Sequence, residues 1–144
     1  LGCEIKPMVL RDGPSVVRAQ RGIGSALMAS PPGWAGELAA KLKANGLPVR
    51  LAPHPGDKGK LEKDLAALKG ASLLHIWSSA MGVRALVEGI PVQHHAPHWI
   101  CGLGHQTRED KLRFMAHGQW HHEEIATGEP FARILDNLEA VKWA

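Results

Sequence analysis

An α/β domain with a mainly parallel sheet and a helical carboxyl-terminal third is the fold class this chain predicts, and three observations carry it. Short apolar runs rich in β-branched residues alternate with four-residue apolar stripes through the first 95 residues. The connections between them are short, as in parallel sheets whose helices cross back over the sheet. Beyond residue 107 the helical period continues without another strand-like run. With 144 residues, 44% of them hydrophobic, the chain suits one domain spanning 1–144 around a single core.

Residues 1–14 have no period and include Pro7, Gly13 and Pro14, so they form a leading segment. Ser15 to Gln20 predicts the first strand, ending in the glycine-containing turn Arg21-Gly22-Ile23-Gly24-Ser25. Ser30-Pro31-Pro32-Gly33 opens a helix that Ser30 is placed to cap; Trp34, Leu38 and Leu42 form its buried stripe, Glu37, Lys41 and Lys43 face water, and Asn45-Gly46 closes it. Val49 to Pro53 is the second strand, running into His54-Pro55-Gly56. Asp57 caps a second helix striped by Leu61, Leu65 and Leu68 and stopped at Gly70. Ser72 to Trp77 is the third strand; after Ser78-Ser79 a short helix runs to Gly89, and Ile90-Pro91-Val92 starts the fourth strand. Residues 93–108 have no period of either kind, and a loop of that length in a small domain is usually functional or mobile. The helical tail, 107–144, begins at Thr107 or Arg108 with Leu112 and Met115, continues past Trp120 and Ile125, and reopens at Pro130 with Phe131, Ile134, Leu135 and Leu138 facing inward.

Charge and cysteine usage narrow the function classes. A net charge of +3 from 17 basic and 14 acidic residues spread along the chain lacks the basic stripe of a dedicated nucleic-acid binder, whereas anionic small molecules fit it. Two cysteines, Cys3 and Cys101, do not make the framework of a secreted scaffold, so a reducing, cytoplasmic setting is expected. No run approaches the ~20 apolar residues of a membrane span, and no charged-then-apolar leader is seen. The first residue is Leu1 rather than methionine, as in a fragment or a processed product.

In open parallel sheets ligands bind outside the carboxyl ends of the strands. That rule gathers Arg21, His54, Ser78 and Ser79 on one rim, with Gly22 and Gly24 letting backbone approach a ligand. Ser78 and Ser79 stand before a helix amino terminus, where unpaired N–H groups suit a phosphate. The dinucleotide fingerprint is incomplete, since the turn lacks its third glycine. The competing reading of Arg21 is a solvated arginine on a tight turn.

Nine histidines raise the question of a metal. His94, His95, His98, Cys101 and His105 fall within twelve residues, and His117 and His121 are four apart. No spacing matches a closed zinc set, and Gly118 stands where the HExxH glutamate belongs, so no metal is assigned. A Cys101 thiolate paired with His98 or His105 lacks the strand-to-turn elbow that frames a nucleophile. The five tryptophans read as packing, with Trp77 or Trp99 alternatively stacking on a base or sugar ring.

The order and spacing of several motifs carry a resemblance. Leu51-Ala52-Pro53-His54-Pro55-Gly56, then Trp77-Ser78-Ser79-Ala80, then Ala85-Leu86 with Gly89-Ile90-Pro91-Val92 resemble the carboxyl-terminal, donor-binding half of B-type glycosyltransferases, closest to their capsular-polysaccharide branch. Arg21 to Gly24, Met28 to Trp34, Gln119-Trp120, Glu124-Ile125 and Gly128 to Phe131 are further similar to an uncharacterised phage-borne set of such proteins. The match covers residues 15 to about 135. It implies a Rossmann-like domain that grips a nucleotide diphosphate-sugar as substrate, with no cofactor. His54 would contact the donor phosphates, Ser78 and Ser79 would hold the diphosphate, and Arg21 would neutralise the leaving nucleotide. The catalytic residues stay unassigned, because an amino-terminal acceptor half generally supplies the base.

Two functions follow as expectations. One is the donor domain of a glycosyltransferase acting on a glycan or a modified DNA base, nucleic acid entering only as acceptor. The other is a stand-alone phage-type nucleotide-binding or host-interaction protein without transferase activity.

Overall fold

The computed structural model describes residues 4–54, 66–97, 99, 102, 107–117 and 122–132. In chain order its elements are β1 (Ser15–Arg18), α1 (Trp34–Ala44), β2 (Val49–Ala52), β3 (Leu73–Ile76), α2 (Met81–Val87), β4 (Val92–His94), α3 (Arg108–His117) and α4 (His122–Ala126). The four strands form one sheet in the order β2-β1-β3-β4, every pair parallel. This is the Rossmann-like α/β arrangement expected, with a helical carboxyl-terminal third among the described residues.

Register decides which residues share a face. Val16 lies beside Leu74 and Arg50, and Val17 beside His75 and Leu51. Neighbours in register project to the same side, and successive residues to opposite sides. The even-numbered side carries the main core, where Val16, Leu74 and Ile76 meet Met81, Ala85 and Leu86 of α2. Leu74, Ile76, Val16 and Val17 are the largest fully buried side chains, each worth about 1.5–3 kcal/mol of burial. The odd-numbered side is thinner and is closed by α1, where Ala39 is buried and Trp34 reaches His95. Chain direction reverses between the two crossovers, so right-handed connections put α1 and α2 on opposite faces.

Several boundaries differ from the sequence expectation for local reasons. The cap falls on Gly33 in the left-handed region, not on Ser30, and no side chain caps α1. Pro32 disfavours helix at the residue before it, and neither proline has an N–H to offer, so helix starts only after Gly33. The strands are shorter than expected: β1 ends at Arg18, β2 at Ala52, β3 runs Leu73–Ile76 and β4 begins at Val92. The Ile90 N–H is taken by the Ala85 carbonyl and Pro91 has none, which delays β4. The Asp57 helix lies largely outside the described residues; its last turn, 66–68, is helical, with Leu68 buried and Gly70 turning the chain at φ 70°.

The leading segment is fastened to the end of α2. Lys6 N–H donates to the Val87 carbonyl at 2.9 Å and Val9 N–H to Gly89 at 3.2 Å. The buried Arg108 guanidinium, on α3, donates to the carbonyls of Lys6 at 3.0 Å and Leu86 at 3.4 Å. Glu88 ion-pairs with Lys6 and lies 3.7 Å from Arg84, so its carboxylate serves this junction. Trp99, placed by sequence either in the core or at the rim, is 8% exposed and sits on Gly82: a Cβ there would lie 2.4 Å from its ring and 2.5 Å from Ile76 Cδ1. Thr107 Oγ1 accepts from the Asp110 N–H at 3.1 Å and so caps α3. Phe131 and Ile125 are 61% and 49% exposed, so Phe131 does not face inward as expected, while Trp120, Ile134, Leu135 and Leu138 lie outside the described residues. Among the described residues no helix is long and apolar enough to cross a membrane.

Candidate functional site

The strand order creates one topological switch point. From β1 the chain moves outward to β2, then returns to place β3 on the other side of β1. A crevice opens where the order reverses, between the carboxyl ends of β1 and β3. Residues 19–33 follow β1 into that crevice, and Trp77 to Ala80 follow β3.

Gln20 fastens the two strand ends together. Its Oε1 accepts from the Trp77 N–H at 2.7 Å and the Ser78 N–H at 2.8 Å, while Nε2 lies 3.4 Å from Ser78 Oγ. These amides have no sheet partner beyond β3, so the carboxamide satisfies donors that would otherwise face a half-buried rim. Ser78 Oγ then donates to the Met28 carbonyl at 2.6 Å, pinning the far side of the loop to β3. A loop of this length is thereby held at two points.

Arg21, Gly22, His54 and Ser79 line one cleft of about 300 Å3, together with Gln20 and Ile23. Three different strand ends contribute to it. Gly22 has φ 65°, and a Cβ there would approach the Ser30 carbonyl to 3.0 Å, so both conformation and space call for glycine. Gly24, at φ 133°, is exposed and lies against Met28, not in the lining. The Ser79 hydroxyl accepts from the Met81 N–H at 3.2 Å, covering one open donor at the start of α2. Of the six residues expected at the rim, the structure brings Arg21, Gly22, His54 and Ser79 together. Ser78 is turned to Met28 and Gln20, and Gly24 stands outside.

A second polar cluster lies beside the site on the odd-numbered face. His75 Nδ1 is 3.2 Å from His95 Nε2, with the ring centroids 5.5 Å apart. His75 is 3% exposed and its Nε2 has no partner among the described residues. One hydrogen can lie between the two facing nitrogens, so charging both rings would set two N–H groups against each other. Burial, and then the neighbouring His95, lowers the His75 pKa to about 4. Burial, and then His94, lowers that of His95 as well. His95 packs at 5.2 Å against Trp34, which meets Trp77 edge-on at 5.5 Å. His94 projects to the other face, where its Nδ1–H donates to the Ala96 carbonyl at 3.1 Å and its ring lies 5.5 Å from Trp99.

Neither Gln20 nor the His75–His95 pair stood out in sequence. The signal for Gln20 was a carboxamide at the end of a buried strand, next to the glycine turn. His75 was visible as a polar residue inside an apolar strand. Among the described residues no group of three or more His, Cys, Asp or Glu is placed to hold a metal. His98, Cys101, His105 and His121 lie outside the described residues.

The arrangement is a half-open cleft at a parallel-sheet switch point that brings a guanidinium, an imidazole and a hydroxyl together from three strand ends. Comparison with family models, curated proteins and solved structures gives no match for this chain.

Proposed function

We propose that the chain is the donor-binding domain of a glycosyltransferase, holding a nucleotide diphosphate-sugar at the switch-point cleft for transfer to a glycan or a modified DNA base. The observation that carries the reading is the meeting of Arg21, His54 and Ser79, from three strand ends, in the cleft of about 300 Å3 at the switch point. The resemblance of the His54-Pro55, Ser78-Ser79 and Gly89 to Val92 motifs to the donor half of B-type transferases points the same way. Arg21 supplies a fixed positive charge, and His54 and Ser79 supply donors to phosphate oxygens. Such groups favour departure of a nucleoside diphosphate, because negative charge accumulates there as the glycosidic bond breaks. The base that activates the acceptor belongs to the acceptor half of such enzymes, and the working compartment on this reading is the cytoplasm of a phage-infected cell.

The test is thermal stability of the purified chain against nucleoside diphosphates and nucleotide-sugars. A ligand at about 100 times its dissociation constant adds roughly 2.7 kcal/mol, or a rise in Tm of about 5–10 °C for this length. Stabilisation that is lost in both His54→Ala and Arg21→Glu is the expected result. No shift with any of these ligands removes the donor-binding reading and leaves a host-interaction protein on the same fold.

A further inference from the structure

Two clefts open at the switch point, and they share a wall. Gln20, Arg21 and Gly22 line both the cleft of about 300 Å3 and a neighbouring one of about 540 Å3. Beyond that wall their chemistry diverges. The smaller adds His54, Ser79 and a single apolar side chain, Ile23, whereas the larger adds Trp77, Ala26, Ala29, Pro31 and Pro32, with Ser30 its one further hydroxyl.

From this division we infer that the ligand is a nucleoside diphosphate whose phosphates occupy the smaller compartment and whose base occupies the larger, against Trp77. The inference rests on the donor-binding reading and adds which end of the ligand goes where, and which residue selects for it. A sugar carries a hydroxyl on most of its carbons, and burying hydroxyls without partners is costly. Beyond the shared Gln20 and Arg21, the larger compartment offers the Ser30 hydroxyl to meet them, and the rest of its lining is alanine, proline, glycine and indole. A nucleobase instead presents two apolar faces, which suit alanine, proline and indole walls.

Trp77 is also held in place before any ligand arrives. Its main-chain N–H is bonded to Gln20 and its ring meets Trp34 edge-on at 5.5 Å, while its indole Nε1 is buried with no hydrogen-bond partner among the described residues. A platform so fixed has little side-chain freedom left to lose on binding. Gln20, bonded to that platform while lining both compartments, sets the separation between base and phosphates.

The experiment compares dissociation constants of inorganic pyrophosphate, UDP, ADP and GDP for the full chain and for Trp77→Leu by calorimetric titration. The wild-type chain is expected to bind at least one nucleoside diphosphate about tenfold or more tightly than pyrophosphate, as stacking on an aromatic side chain provides. Trp77→Leu is expected to erase that advantage and leave the pyrophosphate constant within about twofold. Because Trp77 also packs on Trp34, a second variant, Ala26→Phe, fills the larger compartment from its exposed wall; it should weaken nucleoside diphosphates by a similar factor and spare pyrophosphate. Nucleoside diphosphates bound equally by wild type and by Ala26→Phe, or no more tightly than pyrophosphate by wild type, would overturn the inference while leaving the phosphate cleft standing. Loss of pyrophosphate and nucleotide binding alike in the wild-type chain would instead overturn the donor-binding reading itself.

Discussion

Replacing Gln20 by alanine separates the site's scaffold from its chemistry. The substitution removes one acceptor that satisfies two consecutive main-chain donors, Trp77 N–H at 2.7 Å and Ser78 N–H at 2.8 Å. A buried donor stripped of its partner costs about 1–3 kcal/mol. Both residues are half-buried, so water partly replaces the lost acceptor, and the combined cost is about 2 kcal/mol. For a chain of this length that corresponds to a fall in Tm of about 4–8 °C. Gln20→Glu retains an acceptor that can reach both amides through charge-assisted bonds, and its stability at pH 7 should lie within about 0.5 kcal/mol of wild type. The same carboxylate places negative charge in both clefts, so it should repel an anionic ligand without unfolding the chain. Urea and thermal unfolding of the two variants, with amide exchange at Trp77 and Ser78, measure these effects. An alanine variant as stable as wild type, with exchange at those amides unchanged, would refute the bridge from β1 to β3.

Other predictions concern the histidine pair, the core and the leading segment. His75 has a folded-state pKa near 4, below the ordinary value of 6.5, so its contribution to stability is complete above about pH 6.5 and is lost as the pH falls toward 4. The gap between those values amounts to roughly 3 kcal/mol, and urea midpoints at pH 7 and pH 4 should diverge in the wild type but much less in His75→Leu; equal divergence in both would contradict the assignment. Gly82→Ala drives a methyl into Trp99 and Ile76 and should destabilise by about 1–3 kcal/mol, partly recovered when combined with Trp99→Leu; a strictly additive double-mutant cycle would argue against that contact. Arg108→Ala removes the bonds to the Lys6 and Leu86 carbonyls and should cost about 1–3 kcal/mol while speeding amide exchange and proteolysis near Lys6; protection there that matches wild type would show the segment to be fastened by other contacts.

What could be read before folding was whatever depends on neighbours in the chain. β-branched runs such as Val16-Val17, the four-residue stripe of Trp34, Leu38 and Leu42, and glycines at helix ends such as Gly46 and Gly89 are local signals, and they specified an α/β domain with parallel strands. Element ends were harder to read, because they turn on single hydrogen bonds: Gly33 rather than Ser30 at the start of α1, and Val92 rather than Ile90 at the start of β4.

The site divides in the same way. Sequence alone placed Arg21, Gly22, His54 and Ser79 at strand ends, since the rule for parallel sheets needs only the strand assignments. Only the tertiary structure decided that β1 lies between β2 and β3, which puts the crevice between β1 and β3 and draws His54 to it from β2. It also decided that Gln20, through partners 57 and 58 positions away, bridges the strand ends, that Ser78 turns to Met28, and that His75 faces His95. The physical reason is that periodicity records which face a residue takes within its own element, whereas sheet order and side-chain partners at long separation arise only when the elements pack.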